Sequence, residues 1–184
     1  MDFHTHNLNA PPGSAIVNLP VEALLAPDSF RVVPGGLYSA GIHPWWTTTD
    51  LRQLWEGFLS WLDHPQVVAV GECGLDKLQG ADMGLQEQVF IRQLAMAEER
   101  QLPVTVHCVK AYDRLLALKK SLHPSVQWTV HGFRGKPELA RQLLSAGLDL
   151  SFGRRRNAES WALTPVNRRH EETDDDFADL SCGD

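Results

Sequence analysis

Six residues of metal-ligand chemistry recur along this chain, nearly every one at the end of a short β-branched or apolar run. His4 and His6 stand in Asp2-Phe3-His4-Thr5-His6, and Glu72 follows Val67-Val68-Ala69-Val70-Gly71. His107 ends Val104-Thr105-Val106, His131 ends Trp128-Thr129-Val130, and Asp174 closes Glu172-Thr173. Residues two apart on a strand project from one face, so His4 and His6 could converge on one ion. A carboxylate at Glu72, directly after an apolar run, needs a strong partner. A salt bridge would serve, and a carboxylate shared between two cations would account at once for His4, His6, His107 and His131. Nitrogen and oxygen donors without thiolate suit zinc, manganese or magnesium. Two such ions about 3.5–4 Å apart would hold a bridging water and bring its pKa towards neutrality. The hydroxide so formed would attack phosphorus or a carbonyl, which makes hydrolysis the expected chemistry. Asp174 sits in the acidic run 171–176, which by itself reads equally as a solvated tail. As the close of the last strand, it would be the sixth ligand and the proton acceptor.

These residues need elements to position them. Strand-like runs fall near Asp2–Thr5, Ala15–Asn18, Leu37–Ile42, Val67–Gly71, Val104–His107, Gln127–His131, Leu148–Ser151 and His170–Thr173. Between them lie helix-like segments. Thr49 or Asp50 can cap a helix carrying Leu51, Leu54, Trp55, Phe58, Leu59 and Leu62 at helical spacing, which His64-Pro65 ends. Others are expected over Gln86–Gln101, Ala111–Leu122 and Pro137–Ala146, the last stopped by Gly147. Alternation of this kind predicts a parallel sheet, and about eight strands predict a closed barrel with its chemistry at the strands' C-terminal ends. The expected fold is a distorted TIM-type (β/α) barrel, shortened. Only a short helix fits near Val21–Leu25 between strands two and three, and none after the last strand. One domain over residues 1–184 is expected.

Composition bounds the rest. The 184 residues are 43% hydrophobic and 22% charged, and no apolar run is long enough to span a bilayer. The N-terminus lacks the basic and apolar regions of a signal peptide, so a cytoplasmic protein without membrane contact is expected. A net charge of −6 argues against broad attraction to nucleic acid, though local basic clusters can still bind phosphate. Three cysteines with no Cys-x-x-Cys exclude a disulfide framework or zinc knuckle. Cys73 and Cys108 each follow a proposed ligand and should turn to the opposite face as reduced packing residues.

Read together, the motifs resemble the TatD family of metal-dependent hydrolases. The resemblance runs in order through Asp-Phe-His-Thr-His (2–6), Gly-Ile-His-Pro (41–44), Gly-Glu-Cys-Gly-Leu-Asp (71–76), Gln86 to Phe90 with Arg92-Gln93-Leu94, and Leu102 to His107. It continues through His131-Gly132-Phe133, Ser151-Phe152-Gly153 and Glu172-Thr173-Asp174. It implies a distorted barrel, a dinuclear centre, and activity on DNA or an oligonucleotide. One ion would fall to His4, His6, Glu72 and Asp174, the other to Glu72, His107 and His131, with Asp174 orienting or deprotonating the attacking water. The family commonly has an arginine where Val109 stands, so a phosphate contact would be lost or pass to Lys110. His43 would meet a substrate phosphate or be a turn histidine held by its own backbone. Arg154, with Arg155 and Arg156, would reach the backbone phosphates or form a plain surface cluster. Trp45 and Trp46 would stack a base or pack the loop. Two rival functions remain: a hydrolase of a small phosphoester or amide on the same fold, and a catalytically impaired remnant.

Overall fold

A computed structural model of the chain describes residues 1–176. Eight parallel strands form one sheet in sequence order: β1 (Asp2–Thr5), β2 (Ala15–Asn18), β3 (Leu37–Ala40), β4 (Val67–Asp76), β5 (Val104–Val109), β6 (Trp128–Val130), β7 (Asp149–Phe152) and β8 (Arg169–Glu171). A single parallel bridge between Thr5 and Asp174 brings the last edge back to the first, so the sheet is a nearly closed barrel. Helices α1 (Val21–Leu25), α2 (Leu51–Leu62), α3 (Met83–Arg100), α4 (Tyr112–Leu122), α5 (Pro137–Ser145) and α6 (Ala158–Leu163) fill the crossovers from β2 onward, and β1 passes to β2 through a loop. The expected barrel and the short helix between strands two and three are both present. The stretch in which no closing helix was expected, residues 177–184, lies outside the described residues.

Local chemistry accounts for the helix starts. Asp50 accepts from Arg52 N at 3.0 Å, Asp82 from Leu85 N at 3.2 Å and Asn157 from Ser160 N at 3.0 Å, each satisfying an amide that the helix leaves free. Helix α2 buries Leu54, Trp55, Phe58 and Leu62 as its spacing predicts, but it buries Trp61 as well and leaves the expected Leu59 exposed and Leu51 half-buried. It also meets α1 backbone to backbone, because a Cβ on Gly57 would stand 1.8 Å from Leu24 O.

Two boundaries differ from the sequence reading in ways that matter. Strand β4 continues to Asp76, so Glu72 lies inside a ten-residue strand and does not terminate it. The polar residues after Val70 stay in the ladder because β5 accompanies them, pairing Cys73 with Val106 and Asp76 with Val109. Strand β5 likewise carries His107 within it. The sequence reading also missed α6, which is only six residues long and has too few apolar positions for a period to show. Cys73 and Cys108 are both buried and free, as expected, with burial raising each thiol above its ordinary range.

Candidate metal centre

The C-terminal ends of the strands converge on Glu72, which is 4% exposed. Its backbone N donates to Asn18 Oδ1 at 2.7 Å, and Ser39 Oγ donates to the same oxygen at 3.1 Å, so β2 and β3 both brace it. Its two carboxylate oxygens face different partners. Oε2 lies 3.4 Å from His4 Nε2 and 3.4 Å from His6 Nε2. Oε1 lies 2.7 Å from His107 Nδ1, 2.6 Å from His131 Nε2 and 3.1 Å from His43 Nε2. Asp174 Oδ1 completes the first set, at 3.9 Å from His4 Nε2 and 3.6 Å from His6 Nε2.

Whether these groups suit a cation can be judged from spacing and unmet valence. Donor atoms about 2.1 Å from a common tetrahedral ion stand about 3.4 Å apart. The Nε2 atoms of His4 and His6 lie 3.4–3.9 Å from Glu72 Oε2 and Asp174 Oδ1, near that spacing. His4 is fully buried, yet neither ring nitrogen has a hydrogen-bond partner among the described residues. A buried imidazole left so would carry an uncompensated desolvation cost, which a cation would remove. Around Oε1 the contacts are instead hydrogen bonds, with His131 Nε2 and His107 Nδ1 3.4 Å apart. Three-residue groups able to hold an ion include His4–His6–Glu72, His4–His131–Asp174 and His43–Glu72–His107.

Electrostatics match this geometry. Burial by itself would raise Glu72, but His131, His107 and His4 outweigh it and hold the carboxyl well below its ordinary range. His131 is held well above its ordinary value: Glu72 and Glu172 overcome the burial that opposes its charge. Asp174 is pushed up, chiefly by burial and by Glu172 and Glu72, against the pull of His131 and His4. A cation bound here would compete with the protons that His131 and Asp174 hold more firmly than usual.

All six expected ligands meet here. His43 is brought further in than expected. Its Nδ1 accepts from Trp45 N at 3.2 Å, the turn-histidine contact, which leaves Nε2–H to donate to Glu72. Burial lowers its pKa and favours that neutral form. Two adjoining cavities open from the cluster and share Trp45, His107, His131 and Asp174. One, of about 270 Å³, is also lined by Asn18, His43 and Trp46; the other, of about 720 Å³, by Lys110, Tyr112 and Arg134. Lys110 has a left-handed backbone (φ 52°) and makes no ion pair among the described residues. Arg154 is exposed and lines neither cavity, while Arg155 lies 3.9 Å from Asp176 and Arg156 covers the Trp161 ring at 4.1 Å. Trp45 is 44% exposed and walls both cavities.

Several contributors escaped the sequence reading. Asn18 closes β2 directly after the apolar run Ala15-Ile16-Val17, a signal that was there to use. Glu172 accepts from Gly132 N and faces His131 Nδ1 at 3.6 Å. Buried Gln93 bonds both Ile42 N (2.6 Å) and Ile42 O (3.1 Å), and Gln86 does the same for Asp76 (2.8 and 3.0 Å). These amides of α3 satisfy the backbone where β3 and β4 run out of partners.

A parallel eight-stranded barrel with histidines and carboxylates gathered at its C-terminal rim defines the class: a barrel with a candidate metal centre. The family model for TatD related DNase matches residues 29–179, and the chain belongs to that family. It is 38% identical over 112 residues to the 3′-5′ ssDNA/RNA exonuclease TatD of Klebsiella pneumoniae (strain 342), covering 60% of this chain and 43% of that protein. Over 150 residues it is 37% identical to the namesake from Pantoea sp. (strain At-9b), covering 72% and 54%. The chain thus spans about half the length of these curated relatives. Among solved structures, YJJV, a TatD homolog from Escherichia coli K12, shares the fold with a TM-score of 0.74 at 24% identity, over 94% of this chain and 78% of that one. A hydrolase of the TatD family from Entamoeba histolytica gives 0.67 at 24%, over 86% and 59%.

Proposed function

We propose that the chain is a metal-dependent phosphodiesterase acting on nucleic acid, with DNA or an oligonucleotide as substrate. The observation that carries this reading is Glu72, buried and offering one oxygen to His4 and His6 and the other to His107 and His131. Two divalent cations, zinc, manganese or magnesium, would be held by His4, His6, Glu72 and Asp174 and by Glu72, His107 and His131. What bound cations supply in such a centre is Lewis acidity towards a phosphoryl oxygen and acidification of water. Asp174, half-buried and opening onto both cavities, orients the attacking water and takes its proton. His43 donates to Glu72 and keeps that carboxylate turned towards the cluster. Lys110 and Arg134 line the larger cavity and are placed to meet phosphates flanking the scissile one, while the exposed Trp45 face offers a base a surface to stack on. The family membership and the names its relatives carry support a nuclease; among the described residues no helix is long and apolar enough to cross a membrane.

A small phosphoester or amide is the second reading, favoured by the modest size of the inner cavity, about 270 Å³. The deciding experiment measures cleavage of single-stranded oligonucleotides and of a small phosphodiester, with manganese, zinc or magnesium, for wild type and Glu72→Ala. Oligonucleotide cleavage that Glu72→Ala abolishes, together with its bound metal, supports the proposal. Turnover of the small ester alone favours the second reading. Unchanged activity in Glu72→Ala overturns both, and a protein that takes up no ion would be an impaired remnant.

A further inference from the structure

Asn18 ends β2 and is 3% exposed, and the two branches of its carboxamide are treated differently. Glu72 N donates to Oδ1 at 2.7 Å, and Ser39 Oγ donates to the same oxygen at 3.1 Å. A backbone amide can only donate, so the branch facing Glu72 N is the oxygen and the other is the NH2 group. Two strands thus fix the carboxamide from behind. Nδ2, the remaining branch, has no acceptor among the described residues, yet it is not one of the buried polar atoms that the fold closes off. Asn18 lines the inner cavity of about 270 Å³ together with His6, His43 and Glu72. A donor on such a wall is held by water until an acceptor enters.

Its neighbours indicate which acceptor. Strands β1 and β2 pair Thr5 with Val17, and one residue past that pair lie His6 and Asn18. On its other side Asn18 holds the Glu72 amide. It therefore stands between two members of the set His4, His6, Glu72 and Asp174. The rings of Trp45 and Trp46 gather instead around His43, at 4.8 and 5.7 Å between centroids. A base stacked on those rings and a phosphoryl group drawn to the cations would fill different parts of the cavity, and the amide borders the second. We propose that Asn18 is a substrate-binding residue that donates from Nδ2 to a non-bridging oxygen of the phosphoryl group under attack. The inference rests on the metal-centre reading and deepens it, because one side chain would both brace Glu72 and meet the group bound in front of it. A neutral donor held at a fixed angle supplies direction more than charge, and sets how the phosphoryl group is turned towards the attacking water.

The test pairs spectroscopy with kinetics. In nitrogen–proton correlation spectra of the zinc-loaded protein, the side-chain NH2 pair of Asn18 is the one that vanishes in Asn18→Asp. Dimethyl phosphate, a diester with no base or sugar, should move one proton of that pair downfield. Aspartate keeps the oxygen that Glu72 N and Ser39 Oγ need, and it sets an anion where the donor stood. Asn18→Asp should therefore take up zinc at least as well as wild type, while kcat/KM on oligonucleotides falls by about 10–100-fold from the lost bond alone. A pair that stays still in protein shown by calorimetry to have bound the diester overturns the proposal, and so does wild-type turnover in Asn18→Asp. Movement with a nucleoside and not with the diester would assign the donor to the base, which also overturns it. Loss of zinc from Asn18→Asp in step with turnover would leave Asn18 a brace for Glu72 and nothing more. Should Asn18→Asp fail to fold, the pair is assigned through its own backbone and the wild-type spectra decide. Cleavage lost in Glu72→Ala but intact in Asn18→Asp overturns this role alone. A wild type that binds no ion overturns the centre on which it rests.

Discussion

Glu72 and Asp174 face the same two histidines, His4 in β1 and His6 just past it, yet the two sides of the barrel hold them in different ways. Glu72 lies within β4, which pairs with β3 on one side and β5 on the other, and Asn18 fixes its amide. Asp174 lies three residues past β8, at φ 52°, where the barrel closes by one bridge to Thr5. Its amide donates to His4 O at 3.0 Å and its carbonyl accepts from His6 N at 3.2 Å. Asp2 and Thr5 add side-chain stitching: Asp2 accepts from His4 N at 3.2 Å, Thr173 N at 3.1 Å and Thr173 Oγ1 at 2.6 Å, and Thr5 Oγ1 accepts from Thr173 Oγ1 at 2.9 Å. Beside this seam a cavity of about 550 Å³ is lined by Met1, Phe3, Arg169 and His170. One carboxylate belongs to a continuous ladder and the other to a closure made of a single backbone bridge and a few side-chain bonds. Local opening costs least where few ladder bonds and buried apolar contacts must break, so the Asp174 side should open first.

The most damaging break should come on the ladder side. A Cβ on Gly74 (φ 147°) would stand 2.0 Å from His107 O. Gly74→Ala should lose about 2–6 kcal/mol from backbone strain and forced displacement of β5, read as a lower urea midpoint. At the seam, Asp174→Asn should lower kcat by about 10²–10⁴-fold with little change in melting temperature, because it removes a proton acceptor and no ladder. Retained turnover in Asp174→Asn would show that the water is handled elsewhere. Asp2→Asn should cost about 1–3 kcal/mol by weakening charge-assisted bonds. Amide exchange should accelerate at His6 and Asp174 and not in β4; equal acceleration on both sides would dissolve the contrast.

The smallest expected effect is a pH dependence of β8's attachment. Asp149 accepts from Arg168 Nε at 2.9 Å and faces His170 Nε2 at 3.3 Å. Burial pushes its pKa up, but His170 and Arg168 prevail and hold it below the ordinary 3.8. A carboxyl depressed on folding adds stability that is complete above its unfolded value and is lost as pH falls through the folded one. Wild type and Asp149→Asn should therefore differ most near neutral pH, by about 1 kcal/mol or less for partly exposed partners, and converge below pH 3.8. A gap that stays constant across that range would assign the effect to packing.

Much of the scaffold was legible because it rests on local signals. Asp50 before Leu51–Leu62 carries a cap and an apolar face within twelve residues, and β-branched runs mark most of the strands. The site was legible where ligand-type residues stand at strand ends, as His131 and His6 do. It was not legible where the role depends on a residue far away in sequence. Gln86 and Gln93 look like ordinary polar helix positions until Asp76 and Ile42 are seen to lack backbone partners. Arg134 and Arg154 are both exposed arginines, and only the fold lines the larger cavity with the first and leaves the second outside it.

By itself the sequence determined which residues could bind a cation, the alternation of strand and helix, and the order in which ligands arrive around a barrel. Those properties depend on residue type and on spacing within about one turn or one strand. The tertiary structure alone decided that Glu72 presents one oxygen to each group of histidines, that His43 donates to it, and that Asp76 stands behind His107. Such contacts join residues 29–68 positions apart, so their geometry follows from strand pairing and closure.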